Sequence, residues 1–309
     1  KHIHATDRGL WDKPTVLNNV KTWASVPLIV KNGAEWFASI GTETSKGTMI
    51  FSLVGNVINT GLVEVPMGIT LRDLIFKIGG GIPGNKKFKA VQTGGPSGGC
   101  LPESCLDLPV DYEALTEAGS MMGSGGMVVM DENTCMVQVA RYFLAFTEEE
   151  SCGKCTPCRE GLHQMVQIYD RLIAGDGVEG DIELIERLAA GMQLGSLCEL
   201  GKSAPNPVLS TLRDFRPEYE ANILDKACPA GICRDLTAYE IIEDDCDGCH
   251  ACFKACPVDA IEGVVKELHV IHQDACISCG ACVDVCPTNS IRTFPKVELE
   301  KAALVRCRG

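Results

Sequence analysis

The sequence predicts a multidomain α+β protein, and three features of its 309 residues support this prediction. The first part, to about residue 130, has the pattern strand, strand, helix, strand. The middle part carries amphipathic helices beside a cysteine triplet, and the last part repeats one four-cysteine pattern. These changes divide the chain into five predicted segments: 1–45, 46–130, 131–225, 226–243 and 244–309.

The segment 1–45 has the apolar spacing of helices from residue 14 onward. The pair Asn18 and Asn19 lies near the start of this stretch, and asparagines usually form turns or helix caps. The candidate core residues of the segment are Trp23, Leu28, Trp36 and Phe37.

The segment 46–130 predicts a small α+β sheet domain. Residues 48–57, TMIFSLVGNV, have strand character, and Glu64 and Val65 lie in a second short strand. Thr70 can cap the helix that follows, and the glycines at 79–81 end it. The inward face of that helix is predicted to be Leu71, Leu74, Ile75 and Ile78.

Two features of the first 135 residues favour ordinary structural roles. The glycine-rich stretch 93–99, TGGPSGG, could cradle a phosphate but is more typical of a turn. The single cysteines Cys100, Cys105 and Cys135 are expected to be reduced, partly buried thiols rather than ligands.

The segment 131–225 carries a cysteine triplet with a distant fourth member: Cys152, Cys155, Cys158 and Cys198. Thr156 and Pro157 fit the start of a helix, whose free N–H groups suit an anionic group. Two apolar stripes continue the helical pattern: Leu162, Met165, Val166, Tyr169 and Leu172, then Ile182, Ile185, Leu188 and Met192. We expect a [4Fe–4S] cluster in a helical bundle, with structural zinc as the alternative because spacing alone does not identify the metal.

The segment 244–309 contains the run C-x2-C-x2-C-x3-C-P twice, thirty residues apart. This run is typical of a ferredoxin-like domain with two [4Fe–4S] clusters, in which the fourth cysteine of each run ligates the other cluster. Paired zinc knuckles are the alternative, but they lack this three-then-one spacing. Cluster A is predicted to use Cys246, Cys249, Cys252 and Cys286, and cluster B to use Cys276, Cys279, Cys282 and Cys256.

Composition excludes several classes of protein. The formal charge of −13 argues against nucleic acid or an anionic membrane surface as the main partner. No apolar run reaches the roughly 18 residues of a membrane span, and no secretory signal is visible. Twelve of the 18 cysteines fall into triplets with distant fourth members, which favours metal ligation in a reducing compartment over disulfides. We therefore expect a cytoplasmic protein.

The segment 226–243 is a hinge that could hold zinc. Cys228 and Cys233 have C-x4-C spacing, which supplies half of a zinc site. His269 is the predicted third ligand, and the alternative is two unbound thiols with solvent-facing histidines. The candidates for the fourth position are His250, His272 and Cys307.

Four stretches resemble the NADH-binding flavoprotein subunit of respiratory complex I and its relatives. They are GLWDKPTVLNNV at 9–20, GSGGMVVMDENTC at 123–135, ESCGKCTPCREG at 150–161 and GSLCELGKSAPNP at 195–207. The resemblance covers about residues 1–225 and implies that the central cluster accepts electrons from FMN, which NADH reduces. It also implies a β-grasp-like (SLBB) domain at 46–130 and contact of Asn18 and Asn19 with the FMN phosphate.

The sequence departs from this family at both ends. It lacks the glycine-rich stretch that precedes GLWDKPT in the family, so we expect 1–45 to be a helical remnant and FMN and NADH to bind in a missing N-terminal portion. The two-cluster tail resembles the beta subunits of NAD(P)-linked iron hydrogenases, including the electron-bifurcating type, where a zinc site near the hinge is expected.

The hydrogenase resemblance implies specific partners. These are a hydrogenase-type catalytic subunit, a small [2Fe–2S] thioredoxin-like subunit and ferredoxin, within a hetero-oligomer. Two alternatives stay open: a diaphorase-type subunit of an NAD-dependent formate dehydrogenase, and a non-enzymatic electron-transfer scaffold.

Overall fold

The computed structural model describes residues 3–299. These residues form two compact units. Unit 1 comprises residues 3–132, 142–163 and 188–214, and unit 2 comprises residues 133–141, 164–187 and 215–299. The predicted mixture of helices and strands is confirmed.

Unit 1 contains a five-stranded mixed sheet. Its strands are β1 (Thr48–Gly55), β2 (Gly61–Pro66), β3 (Phe88–Thr93), β4 (Cys100–Pro102) and β5 (Gly126–Asp131). They lie in the order β2-β1-β5-β3-β4, with β1 and β5 parallel and the other neighbours antiparallel. Both strands predicted near residues 48–57 and 64–65 are confirmed. Alternate residues of β1 (Met49, Phe51 and Leu53) are buried, as the two-residue period of a strand requires.

The helix after Thr70 begins as predicted but widens toward its end. Thr70 Oγ1 accepts the N–H of Asp73 at 3.1 Å. The segment Asp73–Ile78 is a π-helix, in which Gly79 N–H donates to the carbonyl of Leu74, five residues earlier. Leu71, Leu74 and Ile75 are fully buried, as predicted. The prediction for Ile78 is wrong, because the wider turn rotates its side chain outward and leaves it 37% exposed.

The helical segment near the N-terminus does not supply the predicted core. It consists of α1 (Val20–Asn32) and α2 (Ala34–Ala38). Trp23, Leu28 and Trp36 are exposed by 53%, 51% and 43%. The reason is that α1 packs against α2, a five-residue helix too short to cover it. Phe37 is half-buried and its ring lies beside Gly47.

Six further helices occupy residues 112–220. They are α3 (Tyr112–Glu117), α4 (Met136–Glu150), α5 (Thr156–Ala174), α6 (Asp181–Gly195), α7 (Glu199–Ser203) and α8 (Asn206–Glu220). The stripe predicted for α5 is buried throughout, from Leu162 to Leu172. On α6, Ile182, Ile185 and Met192 are buried and Leu188 is half-buried.

The cysteine repeat of unit 2 is built from short elements. β6 (Thr237–Ile241) pairs antiparallel with β9 (Ile291–Pro295), and β7 (Ile261–Glu262) pairs with β8 (Val270–Ile271). Two short helices, α9 (Ala251–Ala255) and α10 (Ala281–Asp284), follow the second cysteine of each run. Within residues 3–299, no helix combines the length and apolarity that a membrane crossing requires.

Candidate metal centres

Two cavities in the cysteine repeat are each ringed by four cysteines. Cavity A, of about 280 Å³, is lined by Cys246, Cys249, Cys252 and Cys286. Cavity B, of about 310 Å³, is lined by Cys256, Cys276, Cys279 and Cys282. The fourth cysteine of each run thus lies with the triplet of the other run.

Left-handed turns shape the loops that carry these sulfurs. Gly248 has a φ of +69°, and a Cβ there would lie 2.6 Å from the main chain of Lys266. Only glycine fits this close approach. In the same loop, Asp247 Oδ1 accepts the N–H of Cys249 at 3.0 Å, which fixes the turn between the first two cysteines.

The central four-cysteine site lies in unit 1. Cys158 is buried on α5, and Cys198 lies at the N-cap of α7. The N–H of Leu197 donates to Cys155 and lowers the pKa of that thiol, so the loop before Cys198 reaches the triplet. Burial raises the pKa of Cys158, and the charges of Cys155, Cys198 and Cys152 raise it further. The four thiols therefore share one electrostatic site.

A buried hydroxyl at this site is suited to a bound group. Ser196 Oγ is buried and makes no hydrogen bond of ordinary geometry among the described residues, although it lies close enough to Cys155 to help lower the pKa of that thiol. A Cβ on Gly201 would lie 2.5 Å from Ser196 Oγ and 2.9 Å from Cys158 Cβ, so the glycine lets the main chain pack closely against this site. An unpaired buried hydroxyl costs about 1–3 kcal/mol, which a hydrogen bond to a cluster sulfide would offset. The residues present therefore fit an iron–sulfur cluster.

A compact group of three thiols lies in unit 2. The Sγ atoms of Cys135, Cys228 and Cys233 all lie within 4.8 Å of one another, and all three residues are buried. Cys135 Sγ is 3.7 Å from Cys233 Sγ. Gln138 Nε2 donates to Cys233 Sγ at 3.2 Å. Among residues 3–299, no three cysteines of the predicted clusters have sulfurs that all lie this close to one another.

The three thiols share their protons unequally. The pKa of Cys228 is far below its usual value because Cys135 and Cys233 donate hydrogen bonds to its thiolate. The pKa of Cys135 is well above its usual value because its thiol donates to Cys228 and because it is buried. Hydrogen bonds within the group thus favour the thiolate form of Cys228, and thiolate is the form that binds metal.

The structure does not bring the predicted third zinc ligand to Cys228 and Cys233. His269 does not join Cys228 and Cys233: its Nε2 lies 2.7 Å from His250 Nδ1 and its Nδ1 lies 3.0 Å from the carbonyl of Glu267. The third thiol beside Cys228 and Cys233 is instead that of Cys135, which the sequence predicted to be a non-ligand thiol. Spacing gave no signal for this contact, because Cys135 lies more than ninety residues before Cys228 in the sequence.

Two of the three candidates for the fourth zinc position, His250 and His272, have other partners. His250 is paired with His269, and His272 Nε2 lies 2.9 Å from Glu262 Oε2. Cys307 lies outside the described residues.

Asn19 caps a helix, and the glycine-rich stretch forms a packed turn. Asn19 Oδ1 accepts the N–H of Lys21 at 2.9 Å at the start of α1, and its Nδ2 donates to Ser124 Oγ at 3.2 Å. Asn18 is exposed. The turn at 93–99 receives a hydrogen bond of 2.9 Å from Asn206 Nδ2 to the carbonyl of Ser97. This packing favours the structural interpretation of the glycines.

Two family models match the chain where the cysteines lie. Residues 138–222 match the NADH-ubiquinone oxidoreductase-F iron-sulfur binding region. Residues 239–293 match a 4Fe-4S dicluster domain. The prediction of iron–sulfur sites in both places is confirmed at the level of these domains.

Curated relatives and a solved structure resemble the chain. NADP-reducing hydrogenase subunit HndC of Solidesulfovibrio fructosivorans is 53% identical over 84% of this chain and 53% of its own length. The second F-type subunit of NADH-quinone oxidoreductase in Rhizobium meliloti (strain 1021) is 46% identical over 72% of this chain and 52% of its own. The crystal structure of an NAD+-reducing [NiFe]-hydrogenase in the H2-reduced state has a TM-score of 0.63 and 34% identity, covering 71% of this chain and 36% of that one.

The chain spans about half the length of the curated relatives that it matches. The predicted relationship to both groups of subunits is confirmed. The chain is homologous to subunits of NAD(P)-linked hydrogenases and NADH-quinone oxidoreductases, and combines their F-type iron–sulfur binding region with a 4Fe–4S dicluster domain.

Proposed function

We propose that this chain is an iron–sulfur subunit that links NAD(P)H and FMN oxidoreduction to ferredoxin and a hydrogenase partner. One observation carries the proposal: two cavities are each ringed by cysteines from both runs, in a chain that also holds a central four-cysteine site. Three [4Fe–4S] clusters, when bound, supply one-electron transfer. The cysteines hold them, and the hydrogen chemistry belongs to a partner subunit.

The extent of the matches favours a hydrogenase assembly over a quinone oxidoreductase. The hydrogenase subunit matches 261 residues of this chain, against 221 for the quinone oxidoreductase subunit. In this proposal the assembly is of the electron-bifurcating type and includes a small [2Fe–2S] thioredoxin-like subunit. Asn18 and Asn19 contact the FMN phosphate, and residues 46–130 form a β-grasp-like domain, which the parallel pairing of β1 and β5 within a mixed sheet supports.

We also propose that the thiols of Cys135, Cys228 and Cys233 bind zinc. Their separation, their burial and the lowered pKa of Cys228 support this assignment, since zinc binds thiolates in tetrahedral sites. The fourth position is left to a group outside this triad. The site is structural, because it joins the start of α4 to the hinge at 226–243.

Metal and sulfide analysis of anaerobically purified chain tests the cluster proposal. Three cubane clusters correspond to about twelve irons and about twelve labile sulfides per chain. A colourless preparation, or cysteines found as disulfides, would contradict it. The subunits that co-purify with the native protein test the assembly: a hydrogenase catalytic subunit is expected, whereas a formate dehydrogenase subunit would move the chain to that enzyme.

A further inference from the structure

Cavities A and B are lined differently. The two runs are related by a shift of thirty residues, and four pairs of equivalent lining positions change polarity between them. Because the fourth cysteine of each run crosses to the other cavity, the four polar members all line cavity A and the four apolar members all line cavity B. The pairs, with the cavity A member first, are Asp247 and Ile277, His250 and Gly280, Thr288 and Val258, and Ser290 and Ala260.

The sulfur of Cys286 in cavity A has more polar neighbours than its counterpart in cavity B. Ser290 N–H donates to Cys286 Sγ at 3.3 Å, and Thr288 Oγ1 lies 3.6 Å from the same sulfur. Ser290 Oγ donates to the carbonyl of Asp245 at 2.6 Å, which holds the Ser290 side chain against the residue that precedes Cys246.

In cavity B, Ala260 N–H donates to Cys256 Sγ at 3.2 Å. A valine, Val258, stands where cavity A has the hydroxyl of Thr288. The main-chain hydrogen bond to the crossing cysteine is thus common to both cavities, and the side-chain hydroxyl beside that cysteine is specific to cavity A. Cavity B has in addition the N–H of Ser278, which donates to Cys276 Sγ at 3.4 Å. It is also lined by Tyr239, whose hydroxyl donates to the carbonyl of Gly231 rather than to a sulfur.

His250 holds an unfavourable backbone conformation in cavity A. Its φ is +68°, close to the +78° of Gly280 at the equivalent position. A left-handed conformation costs a residue other than glycine about 1–2 kcal/mol. The imidazole is held by stacking on Phe253, at a centroid distance of 4.3 Å, and by the 2.7 Å contact with His269, which is 1% exposed.

The contacts of His269 determine the arrangement of this pair. The carbonyl of Glu267 can only accept, so Nδ1 of His269 carries hydrogen and its Nε2 accepts from His250 Nδ1 when both rings are neutral. The structure therefore keeps a strained, oriented imidazole at a position where the second run uses glycine. Strain retained in this way points to a functional role.

We propose that these linings give the two clusters unequal reduction potentials, with the higher potential in cavity A. Reduction adds negative charge to a cluster. Hydrogen bonds to cysteine sulfur and polar surroundings stabilise that charge, whereas an apolar lining does not. The negative charge of Asp247 would lower the potential of the cluster in cavity A, but its carboxylate is exposed and water screens it. The proposal rests on the proposed function, and it gives the electron pathway a direction, from cavity B toward cavity A.

Redox titration of the 309-residue chain, followed by EPR, tests the inference with mirror-image variants. Thr288→Val with Ser290→Ala gives cavity A the residues of cavity B, and Val258→Thr with Ala260→Ser does the reverse. We expect the first pair to lower the potential of one cluster and the second pair to raise the potential of the other. His250→Gly should lower the same potential as the first pair, while the central cluster serves as an unshifted reference.

The outcomes separate this inference from the proposed function. A preparation without clusters contradicts the proposed function itself. The inference is overturned if both clusters are present with equal potentials. It is also overturned if these shifts assign the higher potential to cavity B. His250→Gly removes backbone strain rather than a core side chain, so it provides a folded test if the paired substitutions destabilise the chain.

Discussion

Hydrogen bonds from Cys135 and Cys233 lower the pKa of Cys228 and favour its thiolate form in the three-thiol group of unit 2. Without a metal, buried protons are shared among three sulfurs in close contact. A divalent cation would displace those protons, and its positive charge would balance the negative charges of the thiolate ligands. The group links the residue before α4 to the hinge, so its occupancy affects stability as well as composition.

Replacement of Cys135 tests this group at the residue scale. Cys135→Ser is expected to lower the zinc content from about one per chain to near zero and to lower the unfolding temperature, because bound zinc stabilises the fold directly. Metal analysis and thermal unfolding of anaerobic protein measure both effects.

Two control variants accompany this prediction. Cys105→Ser changes a half-buried cysteine outside the group, and His269→Ala removes the ligand that the sequence favours. Both are expected to retain zinc. Loss of zinc in His269→Ala with retention in Cys135→Ser would refute the three-thiol assignment.

At the scale of elements, α6 begins at a buried carboxylate that pairs with an exposed arginine. Asp181 is 3% exposed; its Oδ1 accepts from Arg171 Nη2 at 2.6 Å and its Oδ2 accepts from the N–H of Val178 at 3.0 Å. One carboxylate thus ties the end of α5 to the first turn of α6. A negative charge at a helix N-terminus is also favourable with respect to the helix dipole.

Removal of this carboxylate should destabilise unit 2. Asp181→Ala is expected to lower the free energy of unfolding by about 1–3 kcal/mol, because a buried N–H and a guanidinium lose their shared partner. Asp170→Ala is the matched control: it removes the more exposed pair with Arg141 and should cost less than about 1 kcal/mol. Urea unfolding followed by circular dichroism measures both, and equal costs would contradict the account.

At the scale of the whole molecule, the metal sites are distributed between the two units. The central cysteines lie in unit 1, whereas the dicluster cysteines and the three-thiol group lie in unit 2. The cysteines assigned to any one site all lie in the same unit. We therefore expect each to assemble independently of the others.

Loss of one central cysteine tests this independence. Cys155→Ala should remove about four of the twelve expected irons and leave the dicluster signals in place. Cys279→Ala, the matched change in cavity B, should leave the central cluster intact. Loss of iron from every site in Cys155→Ala would show instead that the units depend on each other for folding.

Local patterns in the sequence predicted much of this architecture. Strand alternation predicted β1, the capping residue Thr70 predicted the start of its helix, and apolar periodicity predicted the buried stripe of α5. The repeated spacing also predicted which cysteines would surround each cavity. These predictions succeeded because they depend on contacts between residues close in the sequence, or on a cysteine motif in which the fourth cysteine of each run ligates the other cluster.

Long-range contacts determined the rest. The sequence by itself determined where iron–sulfur ligands lie and which elements carry them. Only the tertiary structure brought Cys135 to Cys228 and Cys233, more than ninety residues away, and paired His269 with His250 instead. It also gathered the polar members of both runs at cavity A. The physical reason is that spacing along a chain restricts only neighbouring residues, whereas a metal site requires side chains to converge in space.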